Sequence, residues 1–205
     1  MKTIALRAAE ELARLHQPDF IILYGSIARG DATASSDIDI ACFCPTPDVK
    51  KDHRLFDGVP LDAWLYASHE ADASREDFLR FVGGELLLDR QGQGKVFLQQ
   101  LQQRFEQGPE PLSVDERQHI VAWSHKMLQR SCQQDIESLY RRHWLLTDLL
   151  EFYFKLRQRW FLGSKAGFYY LQQHDAEVYE LYQQALQQGD DAVLQQLVQA
   201  IVGES

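Results

Sequence analysis

Asp37 and Asp39 stand two apart in Asp37-Ile38-Asp39-Ile40-Ala41-Cys42-Phe43, a stretch that alternates with period two. In a strand, that period puts both carboxylates on one face and turns Ile38, Ile40 and Cys42 towards a core on the other. Asp62 is a third carboxylate in a strand pattern, within Leu61-Asp62-Ala63. Three carboxylates on adjacent strands repel one another unless a cation sits among them. Hard divalent cations take oxygen ligands, and magnesium commonly joins a few carboxylates to substrate phosphates. Such a cluster suits phosphoryl-type transfer, in which two ions stabilise the attacking and leaving oxygens.

A phosphate-binding element is expected upstream. Gly25-Ser26-Ile27-Ala28-Arg29-Gly30 follows Phe20-Ile21-Ile22-Leu23-Tyr24, a short apolar run that reads as a buried strand. Glycine lets the backbone approach an anion, and the start of a helix offers free N–H groups. Ser26 adds a hydroxyl and Arg29 a permanent cation. Gly25, Ser26 and Arg29 are therefore expected to hold phosphate. Ser36, just before Asp37, is either a loop cap or a nucleotide contact.

The elements that must position these residues follow from periodicity. Ile4, Ala5, Ala8, Leu12 and Leu15 predict a helix over 3–16, stopped by Pro18. Strands are predicted at 20–24, 37–43 and 61–66, a helical segment at 74–82, an edge strand from Glu85 to Asp89 and a helix over 94–106. Gly108-Pro109-Glu110-Pro111 is strong punctuation. It places a domain boundary near residue 111, with a catalytic domain over 1–111 and a second domain over 112–205. Everything beyond it reads helical, beginning at Ser113 and Glu116 in a capping-box spacing. Helices are predicted over about 114–133 and 136–162, with shorter ones near 165–173, 175–188 and 191–202. The expected class is α+β: a small mixed sheet with helices on one side and the metal site on its open face, followed by an all-α helical bundle.

Composition narrows the partners. The 205 residues are 45% hydrophobic and 25% charged, with no apolar run long enough to span a membrane. Glu10 and Glu11 interrupt the segment where a signal peptide would be apolar, so a cytoplasmic protein is expected. The formal net charge is −9, divided as −6 over residues 1–112 and −3 over the rest, and no Lys or Arg follows Lys165. That balance argues against non-specific nucleic-acid binding, which relies on basic surface. It suits a cationic small molecule or a metal-bound nucleotide. Cys42 and Cys44 fall on the core face, and no second Cys or His pair has zinc-ligand spacing, so buried thiols are expected. No motif places any of the seven histidines.

The run Leu-Tyr-Gly-Ser-Ile-Ala-Arg-Gly-Asp followed by Ser-Asp-Ile-Asp-Ile resembles the signature of the polymerase-beta nucleotidyltransferase superfamily. In that signature an apolar residue, Gly and Gly or Ser precede Asp-apolar-Asp/Glu-apolar by nine to thirteen residues; here ten residues separate Ser26 from Asp37. The resemblance implies a nucleotidyltransferase that uses a nucleoside triphosphate, ATP in first place, and two Mg2+ ions held by Asp37, Asp39 and Asp62. By its architecture the helical half resembles the C-terminal bundle of kanamycin-nucleotidyltransferase-like enzymes. There a glutamate of the helical domain acts as general base on the acceptor hydroxyl, a part that Asp148 or Glu151, one helical turn apart, would play here.

The implied acceptor is a small hydroxylated molecule of aminoglycoside or lincosamide type. The alternatives are a protein or RNA acceptor, as in toxin–antitoxin pairs, and a non-catalytic nucleotide-binding regulatory module. The HEPN ribonuclease signature, Arg followed four to six residues later by His, is absent. Ten of the 23 aromatic residues fall within 140–170. They read as bundle core with a dimer face, or as a pocket that stacks a sugar or base. A homodimer with residues 136–170 in or beside the interface is expected.

Overall fold

The computed structural model describes residues 1–133 and 135–203. It divides into two compact units, Met1–Gln107 and Gly108–Ser205. The fold class is α+β, as the sequence predicts: a mixed five-stranded sheet, then a run of helices.

The first unit opens with helix α1 (Lys2–His16), whose Ala5, Ala8, Ala9 and Leu12 are buried. Strand β1 (Phe20–Tyr24) is buried at every position and runs directly into α2 (Gly25–Arg29). Strands β2 (Ile38–Cys44), β3 (Lys51–Phe56) and β4 (Val59–Ala67) follow. A 3-10 turn over Glu76–Phe81 leads to β5 (Glu85–Asp89) and helix α3 (Gln93–Gln107). The sheet order is β3-β4-β2-β1-β5. Only β2 and β4 pair in parallel; the other neighbours are antiparallel.

Both faces of the sheet are covered. On one, α1 packs against Ile21, Leu23, Ile38, Ile40, Cys42, Cys44, Leu61, Ala63 and Leu65. Burial pushes the Cys42 thiol up, and holds Cys44 up at about 11, so both stay protonated at neutral pH. On the other, Phe20 and Phe43 stack with ring centroids 4.4 Å apart, and Phe78, Phe81 and Phe97 close over Phe43 at 5.3–6.2 Å. The expectation of helices on one side and an open face is thus corrected. The period-two face that begins with Asp39 continues to Phe43, and a phenylalanine there needs a cover.

Three further differences have local causes. Asp37 lies one residue before β2, which starts at Ile38, because its ladder to β4 begins at Ile38 opposite Leu61. The segment predicted helical at 74–82 forms a 3-10 turn over 76–81, in which Phe78, Leu79 and Phe81 are all buried. Strand β3 was not predicted: Lys-Asp-His-Arg-Leu-Phe is an exposed edge with no apolar alternation. Its signal is the turn that follows. Asp57 and Gly58 have φ of 50° and 79°, the two positive values that a tight Asp-Gly hairpin demands.

The second unit holds α4 (Val114–Ser131), α5 (Ile136–Leu156), α6 (Ser164–His174), α7 (Ala176–Gln188) and α8 (Asp191–Val202). Ser113 and Glu116 form the predicted capping box: Glu116 N–H donates to Ser113 Oγ at 3.2 Å, and Ser113 N–H to Glu116 Oε2 at 2.8 Å. Asp135, Asp175 and Asp190 cap α5, α7 and α8 more simply, each carboxylate accepting one backbone N–H of the first turn. Leu145, Leu149, Leu171, Leu194, Leu197 and Val198 are fully buried at the centre.

Arg142 ties α5 to the start of α8. Its guanidinium is buried and donates to Asp191 Oδ1 and to the Asp190 carbonyl, each at 2.6 Å. Arg142 is buried, so removing it deletes its packing and two charge-assisted hydrogen bonds, whereas the Asp191 carboxylate is half-exposed and water can stand in for it. Arg142→Ala is therefore expected to destabilise the chain by about 2–3 kcal/mol, and Asp191→Asn by clearly less. Urea unfolding of the two variants measures the difference.

Candidate active site

The site is built where β1 ends. Tyr24 is the last residue of β1 and pairs with Asp39 across the antiparallel ladder. Gly25 follows with φ +71°, in the left-handed region that side chains disfavour. A Cβ placed on it would overlap the Asp39 carboxylate, with the carboxyl carbon only 2.9 Å away. Glycine is required twice at this position, for its dihedral and for the space. Ser26 is buried at 2% exposure, and its Oγ has no hydrogen-bond partner among the described residues. A buried hydroxyl without a partner costs free energy unless a ligand or water completes it.

Asp39 is also in register with Asp62 on the parallel neighbour β4. Adjacent strands lie about 4.8 Å apart, so the two carboxylates are cross-strand neighbours of like charge. On the far side Asp62 faces His53 of β3. Lys51 supplies the compensating charge. It pairs with Trp64 in the β3–β4 ladder, and its Nζ reaches diagonally to within 2.8 Å of Asp62 Oδ1. The same Nζ stands 4.6 Å from the centroid of the Trp64 ring. Asp62 Oδ1 is buried and accepts no aligned hydrogen bond, so the pairing with Lys51 is one of charge.

The remaining predicted residues are placed less tightly. Asp37 is exposed, directly before the strand. Ser36 is buried, and its Oγ accepts the Thr33 N–H at 2.9 Å, which closes the loop before β2. Arg29 lies at the end of α2, and its guanidinium stands 3.3 Å from the Asp31 carboxylate, a local pairing. Among the described residues, no group of three or more His, Cys, Asp or Glu side chains is close enough to hold a metal ion. The donor chemistry of Asp39 and Asp62 fits a hard cation nonetheless. Both are oxygen ligands in register, and one of them already draws an ammonium group to a buried oxygen.

Asp148 and Glu151 both lie on α5, but they line different cavities. Asp148 borders a cavity of about 600 Å³ with His119, Trp123 and Phe152. Glu151 borders one of about 460 Å³ with His143, Thr147, Ser164, Phe168 and Tyr182. Glu151 is paired with Lys155 at 2.6 Å, one turn along the helix. Burial pushes the Asp148 carboxyl up from its usual range; the Glu151 charge adds to the rise, and the Trp144 side chain, hydrogen-bonded to it, opposes it.

Sequence reasoning missed Lys51, Trp64, Tyr66 and Arg80, all gathered on the Asp39–Asp62 face. The Asp57-Gly58 turn sets the register that puts Lys51 beside Trp64, and was the available signal for that part.

Comparison with known proteins agrees with the N-terminal geometry. Residues 6–85 match the family model of the nucleotidyltransferase domain, a stretch that holds Gly25, Ser26, Asp37, Asp39 and Asp62. No curated protein matches the chain. A solved structure of a nucleotidyltransferase-like protein from Exiguobacterium sibiricum is similar over 97% of this chain and 76% of its own, at 17% identity and a TM-score of 0.41. That likeness is too remote to carry chemistry.

The raised Asp148 pKa has a definite sign in stability. Between its ordinary value of 3.8 and the raised folded value, the folded chain holds the proton more tightly than the unfolded one. Asp148 therefore takes stability away as pH rises through that window. Asp148→Asn is expected to remove this contribution, so the stability gap between variant and parent widens in the variant's favour from about pH 4 upwards. Urea midpoints taken across pH 4–7 check it, and a gap that narrows with pH contradicts the burial account.

Proposed function

We propose that this chain is a nucleotidyltransferase of the kanamycin-nucleotidyltransferase kind. It moves a nucleoside monophosphate, AMP from ATP, onto a hydroxyl of a small cationic acceptor of aminoglycoside or lincosamide type. The observation that carries the reading is the bare approach of Gly25 to Asp39, beside the unpartnered Ser26 hydroxyl. A side-chain-free turn set against a carboxylate pair suits a ligand that brings phosphate and cation together. The family match over residues 6–85 supports the same chemistry, and the net charge of −9 favours a cationic acceptor.

In this reading the Gly25 backbone, Ser26 Oγ and Arg29 orient the phosphates, and Ser36 holds the loop that presents Asp37. Asp37, Asp39 and Asp62 are the residues that would hold two magnesium ions, which supply charge neutralisation at the phosphates when bound. The acceptor oxygen forms a bond to the α-phosphorus, the bond to the bridging oxygen breaks, and pyrophosphate leaves. The acceptor proton passes to a carboxylate, for which Asp148 and Glu151 are the proposed residues. Burial raises the affinity of the Asp148 carboxylate for a proton, which suits it to that part. Positioning and fixed charge do most of the catalysis. The proposed location is the cytoplasm.

Labelled ATP and magnesium, offered with a panel of antibiotics, RNA and lysate proteins, test the reading. Label is expected in a small hydroxylated cation. Asp39→Asn and Gly25→Ala are each expected to reduce transfer by about a hundredfold or more. Label entering only RNA or protein overturns the small-molecule acceptor, and absence of transfer overturns nucleotidyl transfer.

We also propose a homodimer through α5. Ile136, Tyr140 and Trp144 recur at every fourth residue and are 86%, 68% and 47% exposed, an apolar stripe that a second copy would cover. Sedimentation at micromolar concentration is expected to show twice the 23.7 kDa chain mass, and Tyr140→Glu to restore the single chain. A parent protein that sediments only at 23.7 kDa refutes the dimer.

A further inference from the structure

Arg80 belongs to no motif in the sequence, yet the fold fixes it over the carboxylate face. It lies on the 3-10 turn Glu76–Phe81 that covers the sheet. Its Cζ is 5.1 Å from the ring centroid of Phe81, 5.6 Å from Trp64 and 5.9 Å from Tyr24. Its Nη2 donates a hydrogen bond to Tyr66 Oη. Two of these partners fix its place relative to the site: Tyr24 is the ladder partner of Asp39, and Trp64 is two residues beyond Asp62 on the same face.

The tether is neutral. Burial pushes the Tyr24 and Tyr66 hydroxyls up, so neither ionises near neutral pH. Aromatic faces and a phenol hold the guanidinium in place; the Asp77 carboxylate also feels its charge but pairs directly with Arg75 at 2.8 Å. The other cations near the site are paired: Lys51 stands on Asp62, and Arg29 on Asp31. Arg80 is itself exposed, so a ligand can reach its planar fork of donors, which matches phosphate oxygens in bidentate fashion.

Resting on the nucleotidyltransferase reading, we infer that Arg80 binds the β- and γ-phosphates of the nucleoside triphosphate and stabilises the pyrophosphate leaving group. As the bond between the α-phosphorus and the bridging oxygen breaks, its electron pair stays on that oxygen and the departing pyrophosphate gains negative charge. The guanidinium meets that charge and keeps its own proton throughout. The acceptor end and the nucleoside do not touch it.

Calorimetric titration of the full chain with ATP, AMP and inorganic tripolyphosphate, in magnesium, separates the possibilities. Arg80→Gln is expected to weaken tripolyphosphate about tenfold and to leave AMP unchanged. Arg80→Lys is expected to recover part of that loss. Tyr66→Phe, which keeps the packing and frees the tether, is expected to lose less than Arg80→Gln, and it serves as the reading if that variant does not fold. In turnover, Arg80→Gln is expected to weaken product inhibition by pyrophosphate by a similar factor. Parent-like tripolyphosphate binding by Arg80→Gln, in a chain that does bind ATP, overturns the role of Arg80 alone. A parent chain that binds neither ATP nor tripolyphosphate overturns the nucleotidyltransferase reading itself, and this inference with it.

Discussion

The first unit is organised around one close approach, the Asp39 carboxylate against the bare Cα of Gly25. Any side chain at residue 25 would overlap Asp39, so glycine must follow β1 directly for β2 to pair with it in this register. The left-handed dihedral at Gly25 then turns the chain into α2 at once, and Ser26, the next residue, is buried. Strand register, turn and hydroxyl placement are consequences of a single missing Cβ. Residues placed this way sit on rigid elements rather than on a loop, which keeps their geometry within tight limits.

The cost of the arrangement is electrostatic. Parallel pairing of β2 with β4 sets Asp62 in register with Asp39, and neither carboxylate can move away without breaking the ladder. The fold answers with Lys51 from the edge strand, placed diagonally across Trp64. It also covers the rest of that face with aromatic rings, from Tyr24 and Tyr66 through Phe43 to Phe78 and Phe81. The apolar cover lowers the local dielectric, and charges at its margin act more strongly on one another and on a ligand than they would in open water.

The period-two run from Ile38 and the Gly25-Ser26 spacing made the heart of this unit legible, because buried strands leave a periodic trace and tight turns demand glycine. The capping box at Ser113 was legible for the same reason: it is a local pattern with a local cause. Strand β3 was not, since an exposed edge has no buried face to alternate with. The cover over Phe43 was hidden because Phe78 and Phe81 sit in a 3-10 turn whose sequence also satisfies a helical period. Asp148 and Glu151 read as a pair on one helix face. Yet α5 packs centrally, and a shift of three residues is enough to send one towards α4 and the other towards α6 and α7. Roles of this kind depend on which elements become neighbours, and no local pattern encodes them.

The acidity of the chain and the phosphate chemistry proposed for its site pull in opposite directions. A net charge of −9 repels a nucleoside triphosphate at a distance, and the carboxylates on the sheet repel it at close range. Such a protein needs cations concentrated where the phosphates arrive, not spread over its surface. The structure concentrates them: Arg29, Lys51 and Arg80 come from three separate elements of the first unit and are set around the Asp39–Asp62 pair or the turn that precedes it. Sequence-wide acidity and phosphate binding are then compatible in the proposed reading, since screening at physiological salt limits the long-range repulsion to about 8 Å while the fixed cations act in contact. The same division explains why charge counting bears on the proposed acceptor but says nothing of the residues proposed to receive the phosphate. The first is a property of the whole surface, and the second of a few side chains that only the folded sheet brings together.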